Sequence, residues 1–598
     1  MTRARILAGL AALSLLAACG DGASGPASRE DSPVVPAAPT ASPAQAHPAP
    51  PYSLRRGGTL PDLAFDGIDQ EGRARAIGLH ESFAPSAASS RLLVIRVHGG
   101  AWCGTCRWHA AHTAELDGIA SRERISLLDV VLGNRDAAPA DAADAAGFRA
   151  LIDTPERGAV VVDPGASMLA LAEGKGVILP LVALVDARTM VVRDLVSNPD
   201  PEDLAHRIRT ELARLEGAPV PERPAETLVD GVFHRNEWDL VRDVTLPGAP
   251  PADPTNAVAD EPAAAALGKA LFEDAGLSPS GAVACATCHD PKTQLSDARP
   301  IAVGVAEGTR RTPRIALAAF SRWQGWDGKA DTLWAQALGP LESEVEMASS
   351  RVFVARRIAT VHAAGYAAAF PGIALPDASS LPLSGKPGEP AFDALSPAAQ
   401  DAVTRTFVNV GKALAAYERR FRVAPNALDA YVGGDADALA PLEKLGLSTF
   451  VQVGCMQCHW GPRLTDDAFH VTRVGGAPGA PDRGRLDGIA KARGAEFAAW
   501  SRWSDAPAAR SAAGLREHPS MLGAFKTPAL RGVAKGAPFG HAGALGGLVD
   551  VTEGYGKGGD PHALGVVEPW VLPFGETTQW ALVPFLAVLT GEPQVGAL

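Results

Sequence analysis

The pentapeptide Cys285-Ala286-Thr287-Cys288-His289 returns later in the chain as Cys455-Met456-Gln457-Cys458-His459. Cys-x-x-Cys-His is the attachment signal for c-type haem, in which two thiols add to the haem vinyl groups and the adjacent imidazole ligates the iron. A zinc knuckle or a disulfide is the alternative, but zinc sites usually need four ligands at closed spacing. Two copies among only seven cysteines predict two covalently attached haem c groups, with His289 and His459 as iron ligands.

Length and charge set the broad class of the protein. At 598 residues the chain is long enough for about three domains. A net charge of −12 argues against nucleic acid as a partner, and it is compatible with the attraction of a basic electron donor.

The first residues predict export. Arg3 and Arg5 precede an apolar stretch that ends in Leu16-Ala17-Ala18-Cys19, which is typical of a secretory signal peptide. The ending resembles the bacterial lipobox, so residues 1–19 are predicted to be a lipoprotein signal with a lipid anchor at Cys19; ordinary cleavage that leaves a stray thiol is the alternative. The predicted location is the periplasmic side of the cell envelope, with the outer membrane favoured over the inner. Residues 20–53, rich in Pro, Ala and Ser, are predicted to be a disordered tether.

A redox motif follows the tether. The β-branched run at residues 92–97 predicts a buried strand, and it leads into Trp102-Cys103-Gly104-Thr105-Cys106 and a helix-compatible stretch at residues 107–119. A helix N-terminus lowers a thiol pKa, so Cys103 is predicted to be an exposed thiolate and Cys106 the resolving thiol. A purely structural disulfide is the alternative. Residues 54–216 resemble the α/β thioredoxin and redoxin families, which implies that Pro180 is a cis-proline facing the cysteine pair.

After a predicted linker at residues 217–255, the chain resembles another family. The stretch Leu267-Gly268-Lys269-Ala270-Leu271-Phe272, both haem motifs, Gly325-Trp326-Asp327-Gly328 and Pro538-Phe539-Gly540-His541 resemble the bacterial di-haem cytochrome c peroxidases and the related MauG-type enzymes. The resemblance implies two mainly α-helical, cytochrome-c-like domains: a peroxidatic domain at residues 256–425 and an electron-transfer domain at residues 426–598.

The same resemblance implies roles for three further side chains. Trp326 matches the tryptophan that lies between the haems and passes electrons. Gln336 and Glu346 match the family's peroxide pocket, in which the glutamate moves a proton between the peroxide oxygens and the glutamine orients it. Core packing is the alternative for Trp326, and a solvated helix face is the alternative for Glu346.

Two departures from the peroxidase pattern affect the iron ligands. Val305 stands about where classical members place a distal histidine, and no histidine occurs between His289 and His362, so the first haem is predicted to be open to peroxide. At the second haem, Tyr555 stands where ordinary members supply a methionine; MauG-type enzymes use a tyrosine there. Packing in a helix is the alternative for Tyr555, and Met521 is the rival sulfur ligand.

A third departure concerns calcium, which the family binds between the haems with an asparagine. This chain reads Arg310-Arg311-Thr312-Pro313 there. Calcium is therefore doubtful, and our hypothesis is that the Arg311 guanidinium takes the place of the ion, near the carbonyls of Gly536 and Pro538.

Together these features predict a di-haem c-type peroxidase that reduces hydrogen peroxide to water, with electrons from a small cytochrome c or copper protein. The alternatives are a MauG-like enzyme that oxidises residues of a partner protein, or a thiol–disulfide oxidoreductase supplied by the haems. The resemblance also allows a homodimer.

Overall fold

The computed structural model describes residues 47–87, 91–119, 124–172, 177–477, 479 and 481–597. The predicted signal peptide, Cys19 and most of the tether lie outside the described residues. Among the helices of the described part, none combines the length and the apolar character needed to cross a membrane.

The first folded region is a seven-stranded sheet. Its strands are β1 (Ala64–Ile68), β2 (Ala74–Gly78), β3 (Leu92–His98), β4 (Ile125–Val131), β5 (Gly158–Val162), β6 (Leu181–Asp186) and β7 (Val191–Ser197). They lie in the order β2-β1-β5-β4-β3-β6-β7. The pairs β3–β4 and β4–β5 are parallel, and the others are antiparallel. All seven residues of β3 are buried, as expected for an apolar run covered on both faces.

Helices cover this sheet: α1 (Gly104–Ala111), α2 (Ala142–Arg149), α3 (Ser167–Ala170) and α4 (Pro201–Glu216). The Leu179–Pro180 peptide bond is cis, as predicted. The helix after the cysteine pair is shorter than the predicted 107–119, because the chain tightens into a 3-10 turn at Thr113–Gly118. The predicted α/β thioredoxin-like class is confirmed.

The predicted linker is not a simple connection. Within it, α5 (Arg235–Arg242) forms a helix. Phe233, Val241 and Val244 are fully buried and pack in a core that also contains Met456 of the second haem motif. Residues 229–244 therefore belong to the folded body. The sequence did not indicate this, because the segment has few apolar residues and Pro-rich stretches flank it.

The rest of the chain is mainly helical, also as predicted. Its helices are α6 (Pro262–Phe272), α7 (Cys285–Cys288), α8 (Leu333–Glu342), α9 (Arg351–Val361), α10 (Ala363–Ala369), α11 (Pro390–Asp393), α12 (Pro397–Glu418), α13 (Ala427–Val432), α14 (Pro441–Gln452), α15 (Arg485–Arg493), α16 (Leu548–Gly556) and α17 (Glu576–Val588). Short strands join them: β8 (Phe421–Val423), β9 (Phe469–His470), β10 (Phe525–Lys526) and β11 (Pro593–Val595).

Contacts between distant segments join the two haem regions. Within the first haem region, helix α6 lies so close to α12 that a Cβ at Gly268 would stand 2.0 Å from the carbonyl oxygen of Ala413. Strand β11 near the C-terminus pairs with β8, across the predicted boundary between residues 425 and 426. The pairing of β8 with β11 therefore joins the two haem regions.

Candidate di-haem site

Both histidines of the C-x-x-C-H motifs line one cavity. This cavity contains about 2550 Å³ free of protein atoms, part of it open to solvent. The predicted site residues that share its lining are Trp326, Gln336, Cys455, Cys458 and Tyr555. The fold thus brings together side chains that are far apart in sequence.

The two imidazoles are held in the same way. His289 Nδ1 lies 2.9 Å from the carbonyl oxygen of Leu295, and His459 Nδ1 lies 2.9 Å from that of Leu464. Both leucines have a φ of 52°, in the left-handed region that non-glycine residues seldom adopt. A hydrogen bond from Nδ1–H to a carbonyl fixes the tautomer and leaves Nε2 free as a metal ligand. Burial lowers the pKa of both imidazoles, which favours the neutral form that ligates iron.

The thiols also fit covalent attachment of haem. Cys285, Cys288, Cys455 and Cys458 are all unbonded. Burial raises the pKa of Cys285 and Cys455 to about 12, so these thiols stay protonated. The donor set of each motif, two free thiols and one oriented imidazole, is the set that haem c requires.

A zinc site at the second motif fits less well. Among the described residues, only Cys458, Asp466 and His470 form a compact group of possible metal ligands. The two ring nitrogens of His470 already lie 2.8 Å from Asp466 Oδ2 and 2.7 Å from Glu568 Oε2. Both ring nitrogens of His470 are therefore engaged by carboxylates and are not free to bind a metal.

Backbone contacts hold Trp326 in place on the cavity wall. Its indole N–H donates to the carbonyl oxygen of Arg311 at 2.8 Å, and its own carbonyl accepts from the backbone N–H of Lys526 at 3.0 Å. The next residue, Asp327, is paired with Arg310 at 2.7 Å. The ring is therefore fixed in a cavity whose lining includes both histidines.

Gln336 and Glu346 lie on the side of His289. Gln336 stands in the first half of α8, whose first turn is capped by the side chain of Thr332, and it lines the cavity. Glu346 follows α8 in a turn and does not itself line the cavity. Its charge still reaches the motif: burial chiefly raises the pKa of Cys288, and the charges of Asp297 and Glu346 add to that effect.

The loop at residues 302–308 lies against Glu346. The N–H of Val305 donates to the carbonyl oxygen of Glu346 at 2.9 Å, and that of Ala306 donates to Val345 at 3.0 Å. Val305 is 39% exposed and offers no metal-binding atom. The loop thus lies beside the predicted peroxide pocket but supplies no side-chain ligand from Val305.

At the second motif, Tyr555 and Met521 differ in placement. Tyr555, on α16, lines the cavity. Burial raises its pKa, and the neighbouring thiols Cys458 and Cys455 add to the effect. Met521 is buried and does not belong to the cavity lining within the described residues. This placement favours Tyr555 as the second ligand.

Comparison with known proteins places this geometry in a family. The profile of the di-haem cytochrome c peroxidases matches residues 262–437. The chain is 33% identical over 335 residues to methylamine utilization protein MauG of Methylorubrum extorquens, a match that covers 56% of this chain and 79% of that protein. It is 32% identical over 288 residues to cytochrome c551 peroxidase of Pseudomonas aeruginosa, covering 48% and 69%. The chain belongs to the di-haem cytochrome c peroxidase family.

Membership in the di-haem peroxidase family makes the protein an oxidoreductase and implies haem c as its cofactor. The N-terminal region has its own likeness, to a thiol:disulfide interchange protein DsbE from Chlorobium tepidum. That match has 24% identity and a TM-score of 0.21, and it covers 27% of this chain and 99% of the other.

In this di-haem peroxidase, Arg311 occupies a central position. Its Nη2 donates to the carbonyl oxygens of Gly536 at 3.0 Å and Asp297 at 3.2 Å. The side chain is buried, and burial lowers its pKa. The guanidinium contacts one of the two carbonyls that the calcium hypothesis names, so the geometry agrees with a fixed cation in place of an ion.

A buried carboxyl that the sequence did not single out also lines the cavity. Glu418, the last residue of α12, is 7% exposed, and burial raises its pKa to about 8. An acid at a helix C-terminus faces the negative end of the helix dipole, which is the one sequence signal that could have marked it. After burial, its charge is the largest contribution to the raised pKa of Cys285.

The predicted exposure of Cys103 is wrong. Cys103 and Cys106 form a disulfide, and both are fully buried. The reason is a contact between regions: the second haem loop, through Met456 and Trp460, covers the start of α1 at Gly104. The Cys-x-x-Cys motif indicates an accessible thiol, but it cannot show that Cys103 is buried by residues more than three hundred positions later in the chain.

The first prediction concerns calcium. We expect elemental analysis of the haem-loaded protein to find iron but no bound calcium, because a guanidinium repels a second cation. The variant R311N should destabilise the protein by about 1–3 kcal/mol in a chelator, since two carbonyls lose their donor, and added calcium should restore part of the loss. The exposed R299N is the matched control. One calcium per wild-type chain would contradict the hypothesis.

The second prediction concerns pH. In the unfolded chain Glu418 ionises near pH 4.5, whereas in the folded protein it keeps its proton up to about pH 8. Between these values the folded state binds the extra proton, so stability falls by about 1.4 kcal/mol per pH unit at most. The melting temperature of E418Q relative to wild type should therefore rise from pH 5 to pH 8 and then level off. A difference in melting temperature between E418Q and wild type that does not change with pH would refute this prediction. The control is E273Q, at an exposed site, whose melting temperature relative to wild type should not change with pH.

Proposed function

We propose that the protein reduces hydrogen peroxide to water with two covalently attached haem c groups and electrons from a small periplasmic donor protein such as a cytochrome c. The observation that carries this proposal is the single cavity lined by His289, Trp326 and His459. A carboxylate and an amide, Glu346 and Gln336, lie on the side of His289.

The chain offers a complete set of ligands for two haems. Cys285, Cys288 and His289 would hold one group, and Cys455, Cys458 and His459 the other, with Tyr555 as a further ligand. When bound, haem iron supplies the redox chemistry that cleaves the O–O bond.

The side chains near His289 would transfer the proton of the peroxide. Cleavage of peroxide into water needs a base that takes a proton from one oxygen and returns it, as an acid, to the other. In this proposal Glu346 would carry out the transfer, and two hydrogen bonds from the backbone of the Val305 loop support its turn. Gln336 can both donate and accept hydrogen bonds, so it can orient the peroxide or the Glu346 carboxylate.

Trp326 would serve the exchange of electrons between the two sites. Its indole is fixed by the Arg311 carbonyl, so the ring need not reorient when its charge changes. An aromatic ring held on the wall of a cavity that both histidines share is suited to relay electrons between them.

The donor and the location are proposed on charge and sequence. The net charge of −12 would attract a basic cytochrome c or copper protein. We place the protein on the periplasmic side, anchored through a lipid at Cys19, and a homodimer is compatible with this arrangement.

A MauG-like activity, oxidation of residues in a partner protein, is the second candidate. It is favoured by Tyr555 in the cavity lining, since an anionic oxygen ligand stabilises highly oxidised iron. Turnover with reduced cytochrome c separates the two candidates, because an enzyme that modifies a protein should oxidise such donors poorly.

The third prediction tests the role of Glu346. In E346Q the side chain cannot take up the peroxide proton, so kcat for peroxide with reduced cytochrome c should fall by about 10²- to 10⁴-fold. The control is E344Q, which removes an exposed carboxylate from the same turn. Steady-state rates for E346Q within threefold of wild type, in a protein with full haem content, would rule out this role.

A further inference from the structure

The cysteine pair of the thioredoxin-like region faces the second haem loop. An added Cβ at Gly104, between the two cysteines, would stand 2.6 Å from the Trp460 ring and 2.7 Å from the carbonyl oxygen of Met456. The indole N–H of Trp460 donates to the carbonyl oxygen of Trp102 at 2.7 Å. The loop is therefore in direct contact with the redox motif on both sides of Cys103.

A second hydrogen bond joins the cis-proline loop to the same haem motif. The N–H of Leu179, which precedes the cis peptide bond of Pro180, donates to Gln457 Oε1 at 3.0 Å. Met456 and Gln457 are the two middle residues of the second C-x-x-C-H motif. Both loops that form the active face of the thioredoxin-like region thus contact the stretch between the two haem thiols.

Side chains lead from the disulfide to the cavity. Cys458 packs against the apolar cluster that contains Cys103, Cys106 and Trp102. The Trp102 ring lies 4.5 Å from the ring of His470 and 5.4 Å from that of Trp570, centroid to centroid. Cys458 and both of these rings line the cavity.

Charged contacts hold the two regions together. Arg135 Nη1 donates to the carbonyl oxygen of Asp466 at 2.9 Å, and the Arg135 carbonyl accepts from Phe469 N–H at 2.8 Å. Asp136 pairs at 2.8 Å with Arg485, which is fully buried. Because separation would take the carboxylate partner from a buried guanidinium, the contact is costly to open.

We propose that Cys103 and Cys106 are an internal two-electron donor to the second haem site. The inference rests on the proposed function. Two thiols lose two electrons and two protons and form the S–S bond; the electrons pass one at a time through the contact with Cys458, His470 and Trp570. One peroxide gains two electrons and two protons and gives two waters as its O–O bond breaks.

Burial explains why the pair would pass electrons rather than exchange disulfides with a partner. Exchange requires a thiolate to reach a sulfur atom of the disulfide, and both cysteines are fully buried under the haem loop. Electron transfer needs only proximity. It is downhill in this direction because thiols are reducing and peroxide is a strong oxidant. Because the contact at Trp460 is costly to open, a small external dithiol reduces the disulfide again only slowly, in the few molecules in which that contact is open.

The test counts thiols in the full-length, haem-loaded protein. The protein is reduced with dithiothreitol, freed of reductant without oxygen, and mixed with one equivalent of hydrogen peroxide; it is then quenched, alkylated and analysed by mass spectrometry. We expect one Cys103–Cys106 disulfide per peroxide consumed. In E346Q the disulfide should form more slowly by about 10²-fold or more, in step with the haem spectrum.

A variant that adds a side-chain methyl group at Gly104 tests the contact between the cysteine pair and the second haem loop. G104A would press a methyl group into Trp460 and Met456, and it should slow disulfide formation by about tenfold or more, since electron transfer falls steeply with distance. The control is G147A on α2 in the same region, where an added Cβ meets no atom within 4 Å; it should behave as wild type.

Four results would overturn the inference, and they are distinguishable. Disulfide formation as fast in E346Q as in wild type means that peroxide oxidises the thiols directly. Thiols that stay reduced while the haem spectrum responds to peroxide leave the proposed function intact but remove the donor role. A protein in which neither haem nor thiol responds refutes the proposed function as well. Equal rates in G104A and G147A would show that the contact carries no electrons.

Discussion

Arg311 is the residue on which the two haem regions depend. Its carbonyl fixes the indole of Trp326, and its guanidinium donates to Gly536 in the second haem region. Its own N–H donates to the carbonyl oxygen of His541 at 2.8 Å. Arg311 thus contacts both the indole of Trp326, which lines the shared cavity, and the loop that contains Gly536 and His541. Under our hypothesis, the guanidinium of Arg311 takes the place of a bound calcium ion at this position.

The thioredoxin-like region adds a second constraint. It covers the second C-x-x-C-H loop, and its buried ion pair between Asp136 and Arg485 makes it part of the same folded body. A donor protein cannot dock on the face that Gly104 and Trp102 occupy, so external electrons must enter elsewhere. The proposed route from the cysteine pair to the second site is therefore separate from the route of electrons that a docked donor would supply.

The sequence predicted the local chemistry well and the long-range contacts poorly. The iron-ligating histidines of the C-x-x-C-H motifs could be predicted from local sequence, because a carbonyl a few residues downstream orients each imidazole. The same holds for the cis bond at Pro180, which the motif around it implies. The burial of Cys103 was missed, because the cover comes from Trp460 in another region. Glu418 was missed because nothing local shows that a charged helix end faces a cavity.

An electron paramagnetic resonance spectrum of the fully oxidised, haem-loaded protein tests the central claim most directly. Val305, which cannot ligate a metal, lies beside Glu346, and Tyr555 lines the cavity near the second motif. We therefore expect one high-spin ferric centre, open to peroxide, and one low-spin centre with two protein ligands. Two low-spin, six-coordinate centres in the oxidised protein would contradict that claim.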